Sequence, residues 1–390
     1  MHLAQRILAV KPSATLSINA KASELKAQGR QVISLAAGEP DFHPPEHVLQ
    51  AAKDAVDQGY TRYTPVPGLP ELRQAIATFC SEQYGHTIPA NMTIATNGGK
   101  QGLYNLFQCL VDPGDEVLIP APYWVSYPDM VSLAQGIPVT VSSSPEDNFR
   151  ITPDDLQNHV TDRTRIVILN SPSNPTGAHY SQSELDALIR WAVKRNIFVI
   201  SDEIYDQFIY PPARPASAGP WLKTHPDWIA VCNGLSKSFA MTGWRMGYVV
   251  THPDLIAKLS TLQGQSTSNV CVLVQKAAIA ALQGPADFLA EQRKVFQKRR
   301  DLALEHISSW PKIQCPQPDG AFYLFPRVDA IYTDEIPDST TLCTKLLEQA
   351  RVALVPGAAF GDDRCIRLSY ALDEKTLISA LDRIKAVLPS

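Results

Sequence analysis

No CxxC pair occurs in this chain of 390 residues, and its seven cysteines, at positions 80, 109, 232, 271, 315, 343 and 365, are an odd number with no two closer than 22 residues. That excludes a zinc knuckle, a redox couple and a disulfide-stapled miniprotein, and makes a reducing compartment the expected home. No apolar run approaches the ~18 residues of a membrane span. Near the N-terminus only Ile7 to Val10 is continuous, between Arg6 and Lys11, too short for a signal-peptide core. A cytoplasmic protein is expected. Charge of one sign is also missing: 35 basic residues stand against 39 acidic ones, a net of −4, with 19% of the chain charged and 45% hydrophobic. This balance fits a soluble globular protein, not a nucleic-acid clamp or a disordered tail. The nine histidines contain neither HExxH nor a tight cluster, so no metal site is expected. GLSKS at 234 to 238 falls one residue short of GxSxG, and the SxxK matches at Ser23 and Ser309 lack a KTG partner, which argues against a serine hydrolase.

What is present is alternation. Short β-branched runs at Met92 to Ala95, Glu116 to Ile119, Ile137 to Val141, Arg165 to Leu169, Ile197 to Ile200, Trp228 to Cys232 and Gly247 to Val250 alternate with amphipathic stretches such as Gln101 to Leu110 and Ser183 to Arg195. Strands separated by helices predict an α/β large domain with a mainly parallel sheet covered on both faces. A long helical region follows, with Pro253 to Leu262, Val270 to Leu282 and Phe288 to Ile307 carrying apolar residues at three- and four-residue steps. Beyond it, strand-like Ala321 to Phe325, Val352 to Val355 and Cys365 to Ser369 alternate with helical Thr340 to Ala350 and Glu374 to Val387, predicting a smaller α/β domain. The expected division is 46–290 for the large domain and 291–390 for the small one. Residues 1–45 hold one helix, Ser17 to Gln28 ended by Gly29, and a short strand, and are expected to pack with the small domain.

Four segments carry chemistry. In VCNGLSKSFAMTGWRMG, Val231 to Gly247, an apolar strand runs into Lys237, framed by Ser236 and Ser238, with Arg245 eight residues later. Surface lysines rarely have such neighbours; desolvation or nearby cations would lower the pKa of this one and make it a Schiff-base amine. IFVISDEIY delivers Asp202 at the carboxyl end of a strand, where open α/β sheets bind ligands, with Tyr205 three residues on. A helix N-cap is the plainer role for such an aspartate. NSPSNPTG, Asn170 to Gly177, ends the preceding strand in turn chemistry. ATNGGKQG, Ala95 to Gly102, runs from a strand through a diglycine turn into a helical pattern and offers free N–H groups as a phosphate seat. It matches neither GxGxxG nor GxxxxGK, so nicotinamide and nucleoside triphosphates lose their fingerprint. Phosphate seat, aspartate, phenol, amide and lysine together are what pyridoxal 5′-phosphate requires.

At this point the chain resembles the class I aminotransferases of fold type I, and within them the bacterial-type aspartate aminotransferase subgroup. The resemblance runs through SLAAGEPDF at 34 to 42, GYTRYTPVPGLPELR at 59 to 73, DPGDEVLIPAPYWVSYP at 112 to 128, PDGAFYLFP at 318 to 326 and VPGAAFGDDRCIRLSYA at 355 to 371, besides the four segments above. It implies a seven-stranded sheet in the large domain, Lys237 as the lysine that carries the cofactor, Asp202 on the pyridine nitrogen, and Tyr205 with Asn174 on the ring oxygen O3′. Ser236, Arg245 and the backbone of Gly99 and Lys100 would hold the phosphate, Trp124 would stack on the ring, and Tyr63 would reach in from a partner subunit of a homodimer. Arg367, helped by Gly38, would clamp the substrate α-carboxylate, a domain-closing salt bridge being its plainer role.

The same resemblance implies ping-pong transfer between aspartate and 2-oxoglutarate. The animal-type subgroup reads the distal carboxylate with an arginine of the neighbouring chain, but LQGQSTSN, Leu262 to Asn269, carries none. In the bacterial-type subgroup the lysine of GGKQ, here Lys100, does so with the Lys-Pro-Ser-x-Thr segment, here Lys11 to Thr15, in which Thr15 is the expected hydrogen-bond donor. Relatives with both motifs also accept prephenate. An aromatic or alanine aminotransferase, or a lyase of the same fold, would reuse the cofactor residues but not the pairing of Lys100 with Thr15. A non-enzymatic regulator would need a DNA-binding extension, for which the stretch ahead of AGEPD is read as too short.

Overall fold

The computed structural model describes residues 2–8, 10 and 14–389, without the side chains at 14–16 and 19. In chain order the strands are β1 (Ile33–Ser34), β2 (Thr93–Asn97), β3 (Glu116–Ala121), β4 (Ile137–Ser142), β5 (Thr164–Asn170), β6 (Phe198–Asp202), β7 (Ile229–Gly234), β8 (Met246–Val250), β9 (Tyr323–Leu324), β10 (Val352–Ala353), β11 (Val355–Pro356) and β12 (Ile366–Ser369). The β-branched runs between 93 and 250 all enter one seven-stranded sheet, ordered β2-β8-β7-β6-β5-β3-β4. Pairing is parallel from β7 through β6, β5 and β3 to β4, while β8 runs antiparallel to both β2 and β7. The sheet is therefore mainly parallel, as expected, with one reversed strand.

Period-two alternation explains how the sheet is buried. Val117, Ile119, Ile166, Ile168 and Ile200 face one side, where helices Gly99–Leu110, Ser126–Leu133 and Pro253–Gly264 supply Leu106, Val131 and Leu259. Leu118, Val167, Leu169, Val199 and Val231 face the other, against Ile76, Leu188 and Ala277 of helices Pro70–Tyr84, Gln182–Val193 and Val272–Gln283. With both faces dry, polar groups can gather only at the strand ends.

The C-terminal region is built from shorter pieces than the sequence suggested. Only Tyr323–Leu324 of the expected 321–325 strand is in a ladder, and β11, β12 and β9 form an antiparallel sheet. The expected strand 352–355 is split: β10 pairs in parallel with β1, whereas β11 pairs with β12. The expected helix 340–350 is helical over Ser339–Lys345 and then widens into a π turn at Leu346–Ala350. Helix Asp287–Ser308 runs uninterrupted through position 290. Where one helix was expected in 1–45, the described residues hold two, Gln5–Leu8 and Ala14–Ala27; the second is closed by Gly29 at φ 80°, with Arg30 N–H donating to Leu25 O at 3.1 Å, a left-handed C-terminal closure that suits glycine.

Candidate active site

The carboxyl ends of β2, β3, β5, β6 and β7 converge on one rim. Because β8 is reversed, its amino end lies at that same rim, which brings in Arg245 just ahead of Met246. A cleft of about 470 Å³ opens there, and its walls include Gly38, Gly99, Lys100, Trp124, Asn174, Asp202, Tyr205, Ser236, Lys237, Arg245 and Arg367. Eleven expected site residues separated by hundreds of positions in sequence thus share one cavity.

Asp202 ends β6 and is buried; its carboxylate accepts from the Tyr127 hydroxyl at 2.6 Å and from Ile204 N–H at 3.3 Å. Burial pushes its pKa up to about 6, and those two hydrogen bonds pull it back. An aspartate held this far from water favours a cationic partner such as a protonated ring nitrogen. Its backbone carbonyl accepts from Asn170 Nδ2 at 2.9 Å, which ties β5 to β6 at the rim. Asp202 is therefore no helix N-cap: no helix begins after it.

Lys237 lies in the short helix Leu235–Ser238 that follows β7, and its Nζ donates to Gly38 O at 2.5 Å. Burial pushes its pKa down to about 8; Glu39 opposes the fall, and Arg367, Arg245 and Lys100 add to it. The amine is thus near the point where it can act as nucleophile or base at neutral pH.

The opposite corner suits an anion. Helix Gly99–Leu110 begins at the rim, and its first N–H groups lie beyond the reach of any intrahelical carbonyl. Gly98 precedes it at φ 80°, and a Cβ there would meet Arg245 Nη2 at 2.5 Å, so glycine is what lets the guanidinium lie against the turn. Arg245 Nη1 donates to Thr242 O at 2.7 Å, and Ser236 is buried beside it in the wall. Lys100 places its ammonium 4.8 Å from the Trp124 ring centre, and its pKa is lowered by burial and then by Arg245. Trp124 also packs edge-on to Tyr127, with ring centres 5.3 Å apart.

The remaining wall comes from β9, β12 and the AGEPD turn. Arg367 on β12 is 2% exposed, yet no acidic residue pairs with it among the described residues. Its Nη1 donates to Asn174 Oδ1 at 2.9 Å and its Nη2 to Ala36 O at 2.7 Å, while Nε is buried without a partner. The guanidinium lies between the rings of Tyr323 (4.6 Å) and Phe360 (5.0 Å). The plainer role, a domain-closing salt bridge, has no counter-ion here. A buried cation without one is chemically suited to receive an anion such as a carboxylate.

One expected residue is not brought into the cleft by its own chain, and another expected residue lies outside what is described. Tyr63 is 90% exposed on the surface of its own chain. The Lys11 to Thr15 segment falls at the edge of what is described: Lys11 to Ser13 and the Thr15 side chain lie outside the described residues. Among the wall residues that sequence reasoning did not name as site residues are Glu39, Tyr127, Asn170 and Tyr323. Tyr127, three residues beyond Trp124, and Asn170, which opens the NSPSNPTG turn, had signals in segments already singled out; that Glu39 and Tyr323 flank the same cleft needed the fold. Among the described residues no helix is long and apolar enough to cross a membrane, and no group of His, Cys, Asp or Glu could hold a metal ion.

The residues present fit pyridoxal 5′-phosphate: a low-pKa amine for its aldehyde, a buried carboxylate for its ring nitrogen, and amides with Arg245 for its phosphate. Fold and site together define the fold-type I class of pyridoxal-phosphate enzymes. The family model described as "Aminotransferase class I and II" matches residues 30–384, and the chain belongs to that family as a pyridoxal-phosphate-dependent aminotransferase. It is 44% identical over 395 residues to the aspartate/prephenate aminotransferase of Cereibacter sphaeroides, covering 98% of each chain. To the aspartate aminotransferase of Bacillus subtilis it is 43% identical, covering 99% of this chain and 98% of the relative. The solved aspartate aminotransferase from Thermus thermophilus with maleate superposes with a TM-score of 0.95 at 42% identity, over 100% of both chains.

Proposed function

We propose that the protein transfers the amino group of L-aspartate to 2-oxoglutarate, giving oxaloacetate and L-glutamate by a ping-pong course, with prephenate as a further amino acceptor. The observation that carries this reading is the pairing, in one cleft, of a buried amine whose pKa burial lowers to about 8 with a buried guanidinium that has no acidic partner among the described residues. Relatives named for aspartate and prephenate, and a solved relative with the dicarboxylate maleate, support the substrate class.

When bound, the cofactor supplies an electron sink for negative charge developing at the substrate Cα. Lys237 would hold the cofactor and, as a free amine, would take the proton from the substrate Cα and deliver that same proton to the carbon that receives it in the amino-group transfer. Arg367 grips the α-carboxylate with two parallel N–H donors, and Gly38 and Asn174 border that grip, so the Cα–H bond is held toward Lys237. Asp202, fixed by Tyr127, would keep a proton on the ring nitrogen. Ser236, Arg245 and the amides of Gly99 and Lys100 would hold the phosphate, Trp124 would pack on the ring, and Tyr205 would donate to the ring oxygen. Lys100, with Thr15, reads the distal carboxylate.

Tyr63, exposed on its own chain, serves the cofactor of a partner in a homodimer. We assign residues 46–290 to a cofactor-binding domain and 291–390 to a small domain on which 1–45 packs; pairing of β1 with β10 supports the last point. A cytoplasmic location accords with the free cysteines. The test is an absorption spectrum of the purified protein with cofactor: a visible band that bleaches on adding aspartate and returns with 2-oxoglutarate is expected. A band that ignores aspartate but bleaches with alanine or phenylalanine would move the protein to another specificity of the same fold, and oxaloacetate working as acceptor where prephenate fails would remove the second substrate.

A further inference from the structure

We propose that Tyr323 is a positioning residue: its hydroxyl donates to the Tyr205 hydroxyl and so directs and strengthens the hydrogen bond that Tyr205 offers into the cleft. The two phenolic oxygens are 2.8 Å apart, and both rings are buried, Tyr323 at 1% and Tyr205 at 3% exposure. Only one hydrogen can lie between two oxygens at that distance. If Tyr205 spent its hydrogen on Tyr323 it would have none for a ligand; if Tyr323 donates, the Tyr205 hydrogen is free to point into the cavity.

The position of Arg367 favours that direction. The Arg367 guanidinium carbon lies 4.6 Å from the Tyr323 ring centre, and a cation there draws electron density from the phenol and makes its O–H the better donor. Tyr323 cannot swing away. It sits on β9, where it pairs with Ser369 of β12, two residues from Arg367 itself. Its ring meets Tyr205 nearly perpendicularly at 5.7 Å, and Phe322 braces Tyr205 from beside it at 5.4 Å. On its other side a Cβ on Gly38 would come within 2.7 Å of the Tyr323 oxygen, so the absence of a side chain at 38 makes room for the hydroxyl. Arg367 and Asp202 are the charged groups facing Tyr205, and Arg367 and Glu39 those facing Tyr323. Tyr323 thus links the carboxylate receptor to the residue assigned to the ring oxygen, through a hydroxyl that needs no ligand of its own.

This inference rests on the cofactor and Tyr205 roles proposed above, and its test separates the two. The pH midpoint of the visible-band transition is measured on enzyme loaded with pyridoxal phosphate, for the wild type, Tyr323→Phe, Tyr205→Phe and the double variant. Phenylalanine keeps the ring that packs on Arg367 and Tyr205 and removes only the oxygen. Tyr323→Phe should raise the midpoint by roughly 0.5 to 1 pH unit, because a donor that has lost its own donor stabilises negative charge less well. In the Tyr205→Phe background the same change should add nothing. A midpoint that stays or falls, or an equal shift with Tyr205 already removed, overturns the proposal. A wild type showing no visible band would instead sink the Lys237 assignment, and this proposal with it.

Discussion

The two walls of the cleft are made differently. The wall built on the large sheet holds groups whose charge is soft: burial brings Lys237 to about 8 and Asp202 to about 6, within reach of neutral pH from opposite sides. The wall built on β9 and β12 holds Arg367, whose pKa burial also lowers but whose guanidinium stays charged at any working pH. The first wall is suited to moving protons and the second to holding a fixed charge still. On the function proposed above, separating the tasks would keep a substrate anchored while the base beside it changes protonation state.

Removing the soft group should do most to break that comparison. Lys237→Ala is expected to lower turnover by roughly 10⁴-fold or more and to abolish the visible band, since on the proposed function one side chain both holds the cofactor and moves the proton. Near-normal steady-state turnover would show that the working base lies elsewhere.

Arg367→Lys should cost roughly 10²-fold in kcat/KM, because lysine keeps the charge and loses the two-pronged geometry. The visible band should persist, since this wall does not hold the cofactor. Loss of the band together with activity would mean that the two walls are not separable.

A third test concerns stability in cofactor-free protein. Lys237 titrates near 8 when folded against 10.5 as its ordinary value, so between those pH values the unfolded chain binds more protons and stability rises with pH. Below pH 8 the full penalty of burying the amine applies, on the order of 3 kcal/mol. Lys237→Met should raise the urea midpoint at pH 7 by a corresponding amount, with the advantage fading as pH climbs toward 10.5. A gain that does not vary with pH would assign the effect to packing alone.

The smallest effect is expected at the anion corner of the first wall. Lys100→Ala should reduce kcat/KM for aspartate about tenfold more than for alanine or phenylalanine. Equal losses for all three would leave Lys100 as a phosphate contact only.

Much of this was legible before folding. Seven β-branched runs gave seven strands of one sheet because apolar alternation bounded by glycine and polar turns admits little else over that length. Lys237, Asp202 and Gly99 were legible because each stands at the end of such a run. The smaller sheets were harder to read: β9, β10 and β11 have two residues each, too few for a period, and their pairing depends on partners far away. Tyr323 and Glu39 show the same limit, since nothing within PDGAFYLFP or AGEPD says that these segments flank one cavity.

By itself the sequence determined which segments are strands, which residues stand at their ends, and that a lysine, an aspartate and a diglycine turn would lie on one rim; local periodicity and turn chemistry act over a few residues and need no partner. Only the tertiary structure decided that β8 runs backward and so delivers Arg245, that Arg367 is buried without a counter-ion, and that two phenols meet beside it. Those properties depend on burial and on distances between residues more than a hundred positions apart, which chain order does not encode locally.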